Sequence, residues 1–313
     1  MRTTTDATAH SRLFEQHRGA LFGAAYRVLG TVSDAEDAVQ ETWLAWAQVD
    51  LDGVRDARSY LARAATRHAL NIVRARRRRR EEYPGPWLPE PISTGEGAAP
   101  DRAAELADDV SLALLVVLES LSPLERAAFV LRDVFALPHA EVAQTLDRSE
   151  EAVRQLVSRA RAHVRERAPR HPVDAETHRR VTDAFLAATR GIRPVDEVVS
   201  LMAPDVVLTS DGGGRSKAAR RPVLGREKVM RFVAGVLATP EVAALEWHAG
   251  EINGMPAMLG VGAAGVDTVV WFEVDGGLVT DVYLVRNPDK LHAVRVPGAV
   301  HPTATSTGKS PEP

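Results

Sequence analysis

Apolar positions recur every three to four residues from the start of the chain to about Glu82, a spacing that predicts helices. Leu13, His17, Leu21, Ala24, Ala25 and Val28 form the first stripe, and Gly30 stops it. Ser33-Asp34-Ala35-Glu36 reads as a capping box that opens a second helix. Ala35, Ala38, Val39, Thr42, Trp43 and Trp46 make its apolar face, and Asp34, Asp37, Gln40 and Glu41 lie together on the other side. A third helix runs from about Ser59 through Arg74 to Arg80, where six of seven residues are arginine. Pro84, Pro86, Pro89, Pro91 and Pro100, with Gly85, Gly95 and Gly97, then break the pattern and predict a linker. A flexible tether has no use for a large apolar ring, so Trp87 and Leu88 within it are expected to dock.

Helical spacing resumes from about Asp101 to Arg167. Ser122-Pro123-Leu124-Glu125 places serine at an N-cap, proline in the first turn and glutamate at the third position. Pro138 to Leu146 predicts a short helix, Asp147-Arg148-Ser149 a tight turn, and Glu150 to Arg167 a longer helix. Val153, Leu156, Val157, Ala160 and Val164 form its buried stripe, with Arg154, Gln155, Ser158, Arg159 and Arg161 outward or flanking. Two helices joined this way suggest a helix-turn-helix. From Asp174 the texture changes. Helices are predicted over about 174–190, 195–202 and 227–237, a short strand over 206–208, and a hairpin of Asp267–Val274 and Leu278–Val285 about Asp275-Gly276-Gly277. This part is α+β, and the Pro-, Gly-, Thr- and Ser-rich end is expected to be disordered.

The length of 313 residues suits two or three domains, and 45% apolar with 26% charged residues suits a chain that forms cores. Apolar runs are far shorter than a bilayer-spanning helix needs, and Arg2, Asp6 and His10 interrupt any secretory signal, so a cytoplasmic protein is expected. Zero cysteines exclude disulfides, a thiol nucleophile and a cysteine-ligated zinc site. Net charge is only −3, but basic residues cluster in the Arg74–Arg80 run and in Arg154, Arg159, Arg161, Arg165 and Arg167. Such clusters fit a nucleic-acid face and also a solvated helix side.

Asp34-Ala35-Glu36-Asp37-Ala38-Val39-Gln40-Glu41-Thr42-Trp43 resembles the polymerase-binding helix of extracytoplasmic-function sigma factors. Ala152 to Arg161 resembles their promoter-reading helix, and Leu121-Ser122-Pro123-Leu124-Glu125-Arg126 the opening of their fourth region. Trp87-Leu88-Pro89-Glu90-Pro91, Asp211-Gly212-Gly213-Gly214 and Asn287-Pro288-Asp289-Lys290-Leu291 resemble signatures of one subgroup with a fused C-terminal SnoaL-like domain. Arg215 stands where that subgroup usually has lysine, and Asn71 where an aspartate is usual. The resemblance implies a multidomain chain: sigma region 2 over 10–82, a Pro-rich linker over 83–107, sigma region 4 over 108–168, an α+β SnoaL-like cone over 174–296, and a tail over 297–313. It implies RNA polymerase core enzyme and promoter DNA as partners. The residues themselves lead to no membrane, no cofactor and no catalysis as expectations, since the SnoaL-like fold by itself does not decide activity. An unidentified ligand of the C-terminal domain is left open.

Asp34, Asp37, Gln40 and Glu41 are then expected to bind core polymerase, and Arg63, Arg67 and Arg74 to track phosphates. The loop from Leu51 to Ser59 is the candidate for holding unstacked bases. Arg154, Gln155, Ser158, Arg159 and Arg161 are expected to meet the second promoter element. Trp87, Asp211, Gly212, Gly213, Gly214, Asn287, Pro288, Asp289, Lys290 and Leu291 are expected at an interface through which the C-terminal domain packs on the linker or region 2 and biases the spacing of the two DNA-binding halves. The competing reading is a SnoaL-like enzyme fused to a DNA-binding module, with Asp211, Asp267, Asp281, His248 and Glu273 as candidate acid-base groups. The histidines show no metal-ligand spacing, so no metal is expected.

Overall fold

The structure, a computed structural model, describes residues 4–81, 83–95, 111–167 and 175–297. The expected helix start near Asp101, much of the linker and the tail from 298 lie outside the described residues. Helices α1 (Thr4–Leu29), α2 (Val32–Trp46) and α3 (Ala57–Glu81) pack around Leu21, Phe22, Tyr26, Trp46 and Leu61. Gly30 ends α1 in the left-handed region, at φ 74°. Helix α2 departs from the expected capping box. It begins at Val32, Thr31 at the N-cap makes no side-chain cap bond, and the Val32 N–H donates instead to Glu90 Oε2 at 2.9 Å. A linker carboxylate thus takes one of the free donors that every helix start leaves.

Beyond the linker, α4 (Leu112–Glu119) is capped by Ser111, whose Oγ accepts from the Leu114 N–H at 3.2 Å. Helix α5 (Pro123–Phe129) has the full capping box of Ser122 and Glu125, then loosens into a π turn over Val130–Val134. Asp147, at φ 54°, ends α6 (His139–Leu146) and turns the chain into α7 (Glu150–Arg167). Val153, Leu156, Val157 and Ala160 of α7 are buried, as its period predicts.

The remaining chain forms α8 (Ala175–Thr189), α9 (Val195–Ser200), β1 (Met202–Asp211), β2 (Val223–Leu224), α10 (Arg226–Leu237), α11 (Pro240–Ala243), β3 (Glu246–Ile252), β4 (Met255–Gly262), β5 (Gly265–Asp275) and β6 (Leu278–Val285). The strands form one sheet in the order β2-β1-β6-β5-β4-β3, in which only the β1–β6 pair is parallel. Strand β1 is longer than the expected 206–208, and the β3–β4 hairpin was not predicted as such. Its turn, Asn253-Gly254 at φ 50° and 74°, is the asparagine–glycine signal of a tight hairpin.

The sheet is apolar on both faces. Val270, Phe272, Val282 and Leu284 join a core under α8 and α10. Their neighbours Val269, Trp271 and Val285, with Ile252 and Leu259, join a second core that continues through Leu88 and Ile92 of the linker into the helical regions. The strand period of two therefore sends alternate side chains of one strand into two different units.

Candidate functional sites: a clamped linker and two polar helix faces

The linker is held from both sides. Asp211, at the end of β1, is fully buried. Its Oδ1 accepts from the Tyr83 hydroxyl and from the Gly213 N–H, its Oδ2 from the Leu88 N–H at 2.9 Å and from Lys290 Nζ at 2.7 Å. Lys290, also buried, donates to the Leu88 carbonyl at 2.5 Å and stands 3.2 Å from the centre of the Trp87 ring. A buried ammonium is tolerable only when paired and hydrogen-bonded, and here a carboxylate, a carbonyl and an aromatic face supply that. Asn287 Nδ2 donates to the Tyr83 hydroxyl at 2.9 Å. A Cβ on Gly213 would come within 2.4 Å of the Asn287 side chain, and one on Gly214 within 2.6 Å of Pro84. The glycines thus permit close approach of the two loops to each other and to the linker. Arg215 pairs with Asp289 at the exposed rim.

On its other side the same peptide grips region 2. Glu90 N–H donates to the Gly30 carbonyl at 2.9 Å, and the Tyr26 hydroxyl donates to the Glu90 carbonyl. Asn253 exchanges bonds with Ile92, accepting from its N–H and donating to its carbonyl, each at 2.9 Å, and its Nδ2 reaches the Tyr26 oxygen at 3.3 Å. Burial pushes the Tyr26 hydroxyl far above the usual phenol range. Burial, then the bond to Asp211, does the same at Tyr83. Both phenols therefore stay protonated and keep donating.

The two helical regions also touch each other. Arg126 of α5, fully buried, donates to the Val28 carbonyl of α1 at 2.7 Å and to Glu119 at 2.9 and 3.2 Å. Arg63 of α3 pairs with Glu141 of α6, and the Arg58 guanidinium lies 5.3 Å from the centre of the Phe135 ring.

Residues 13–79 match the family model for Sigma-70 region 2, and residues 111–164 that for Sigma-70, region 4. The ECF RNA polymerase sigma factor SigJ of Mycobacterium tuberculosis is 40% identical over 289 residues, covering 89% of this chain and 92% of the relative. The chain belongs to the extracytoplasmic-function RNA polymerase sigma factors. The crystal structure of the M. tuberculosis extracytoplasmic function sigma factor SigJ matches with a TM-score of 0.73 and 38% identity, over 90% of this chain and 98% of that one. A probable ECF sigma factor of the same organism, SigI, is 28% identical over 289 residues, 91% of this chain and 96% of the relative.

The expected contact residues of this sigma factor divide. Asp37, Gln40 and Glu41 are exposed along α2. Asp34 is not: it is 3% exposed and pairs with Arg76 of α3. It stands at the N-terminal end of α2, where α3 packs over it, so the expected four-residue face loses its first member. Leu44, 54% exposed and one turn beyond Gln40 and Glu41, extends the face instead and was overlooked. Arg67 and Arg74 are exposed, but Arg63 is engaged by Glu141; the side chains of Arg77 to Arg80 lie outside the described residues. On α7, Arg154, Gln155, Ser158, Arg159 and Arg161 all face outward, with Arg154 paired to Glu150, Arg159 to Glu125 and Arg161 to Asp133.

Six of the ten residues expected at the interface lie at the linker, namely Trp87, Asp211, Gly213, Gly214, Asn287 and Lys290; Gly212 packs on its own loop at Ser216 and Ala218, and Asp289 pairs with Arg215 at the exposed rim. Sequence reasoning missed Tyr26, Tyr83, Glu90 as a site residue, Asn253 and Arg126. Tyr83 was legible as an aromatic beside the proline run; Tyr26 and Asn253 act through partners distant in sequence, and Arg126 joins the nearby Glu119 to the distant Val28 carbonyl. The five candidate acid-base residues do not share one site; only Glu273 and Asp281 are neighbours. Asp211 belongs to the linker contact, Asp267 pairs with Arg286, and His248 lies 3.7 Å from Glu246. Glu273 and Asp281 are register partners on the face toward region 4. Burial pushes Glu273 up to about 8 and raises Asp281 as well.

Proposed function

We propose that this chain directs RNA polymerase to promoters through the exposed faces of α2, α3 and α7, and that its C-terminal domain holds it in a closed state by gripping the linker between regions 2 and 4. The chain acts in this reading as a binding protein with no catalytic step. The observation that carries it is the Asp211–Lys290 pair closed around the backbone of Leu88, with both polar loops spent on the linker. The closed state has a physical consequence. Two promoter elements roughly two helical turns apart, at about 34 Å per turn, require separated regions. Arg126 on the Val28 carbonyl and Arg63 on Glu141 join them. Opening must therefore break these contacts. A tethered domain meets its partner at an effective concentration that reaches about millimolar, so modest contacts suffice to populate the closed state.

The test is transcription from a cognate promoter with core polymerase. The full chain is compared with Asp211→Ala/Lys290→Met, which removes both charges together and leaves neither buried alone. Activity is expected to rise severalfold in the variant at equal affinity for core enzyme. Unchanged activity in a folded variant would remove the closed-state reading while leaving the sigma assignment in place.

A further inference from the structure

Helices α8 and α10 cross one face of the sheet without filling the space beneath them. A cavity of about 160 Å³ remains, walled by Phe185 and Ala188 of α8, Met230 and Val233 of α10, and Trp247 and Phe272 of the sheet. Close-packed interiors hold few voids larger than a water molecule. An engineered apolar cavity of about 150 Å³ stays dry and takes up benzene. The space here is of that size and of that chemistry.

Among the described residues, Thr189 and Thr268 are the only lining residues with a polar side chain besides the indole of Trp247. The Thr189 hydroxyl donates to the Leu186 carbonyl at 2.8 Å. The Thr268 hydroxyl donates to Asp267 at 2.7 Å and accepts from Arg286 Nε at 3.1 Å. Both hydroxyl protons are committed away from the cavity. None of Asp211, Asp267, His248, Glu273 and Asp281 lines it, and among the described residues its wall holds no charge to pair with a charged ligand and no group to move a proton.

We infer that this cavity is a receptor site for a neutral apolar molecule of one ring or two small fused rings, bound and released without being transformed. The lining sets the class: aromatic and methionine side chains give broad dispersion contact, and no ionic partner waits for a carboxylate or an ammonium. The site stands independently of the closed-state reading. It lies on the face of β5 and β6 opposite the one that meets the linker and the helical regions.

The test uses the full chain and titration calorimetry with four probes: toluene and indole as neutral ligands, benzoate and benzylamine as charged molecules of similar size. Toluene or indole is expected to bind, with both charged probes at least tenfold weaker. Ala188→Phe fills the cavity and is expected to weaken neutral binding at least tenfold. Should that variant fail to fold by circular dichroism, Ala188→Leu fills it partly and decides the matter. Equal binding of neutral and charged probes, no binding of either neutral probe, or unchanged affinity in the folded variant would each overturn the inference.

Discussion

Asp34 and Asp37 stand one turn apart on α2 and meet different surroundings. The helical period correctly puts both off the tryptophan side, but it cannot say that α3 returns over the first of them, since Arg76 is remote in sequence. Exposure separates their roles. Asp37→Lys with Glu41→Lys is expected to weaken core-polymerase binding while leaving thermal stability nearly unchanged, because exposed charges contribute about 0–1 kcal/mol. Asp34→Ala is expected to destabilise the fold by about 1–3 kcal/mol, the usual cost of disturbing a buried polar contact. Binding measured against core enzyme alongside thermal melts checks both. A stable Asp34→Ala protein with lost polymerase affinity would return Asp34 to the contact face. Trp87 was legible for the opposite reason: a large ring among prolines needs a place to go, and Lys290 and Tyr83 supply it.

Among the elements, α2 and α7 were readable because one stripe of each is buried and the rest is mostly not, whereas α1 is buried at every position from Leu21 to Leu29. The β3–β4 hairpin was harder. Strand β4, Met255-Pro256-Ala257-Met258-Leu259-Gly260-Val261-Gly262, is buried at successive positions from Ala257 to Gly260, so it shows no alternation, and its glycines lower its strand propensity. Helix α7 presents Arg154, Gln155 and Ser158 to solvent. Alanine at Gln155 is expected to cost about 1–3 kcal/mol on a cognate upstream element and relax one base position, as loss of a base-reading contact does. Alanine at a phosphate-contacting arginine instead weakens all sequences alike and flattens the salt dependence. Binding isotherms on single-base variants tell the two apart; an effect of neither kind from any of the three would mean that α7 meets DNA by another face. The strand pair β5–β6 carries a pH signature. Glu273 is raised by burial to about 8, so its folded form favours the proton more than its unfolded form does. Both states are protonated below the ordinary carboxylate range, and the stability contribution is then full. It is lost progressively as pH rises from that range through about 8. Melts across pH 5 to 9 on the chain and on Glu273→Gln should show the decline in the first and a flatter profile in the second; parallel profiles would contradict it.

For the whole molecule, the decisive contacts are those that sequence periodicity cannot reach. Leu88 and Asp211, Ile92 and Asn253, and Val28 and Arg126 are each far apart in the chain and close in space. The domain order and the two polar loops were readable from motifs; that both loops close on the linker backbone, while Glu90 caps α2 from its other side, depends on contacts between residues remote in sequence. In the closed state proposed above, this grip keeps regions 2 and 4 together. The chain contains no cysteine, so spin labels can be placed uniquely at exposed sites with Ala45→Cys on α2 and Ala162→Cys on α7. Pulsed dipolar distances between these labels, with and without Asp211→Ala/Lys290→Met, measure the claim directly. A single short distance in the parent that becomes long and broad in the double variant is the predicted result; the same narrow distribution in both proteins would contradict the account.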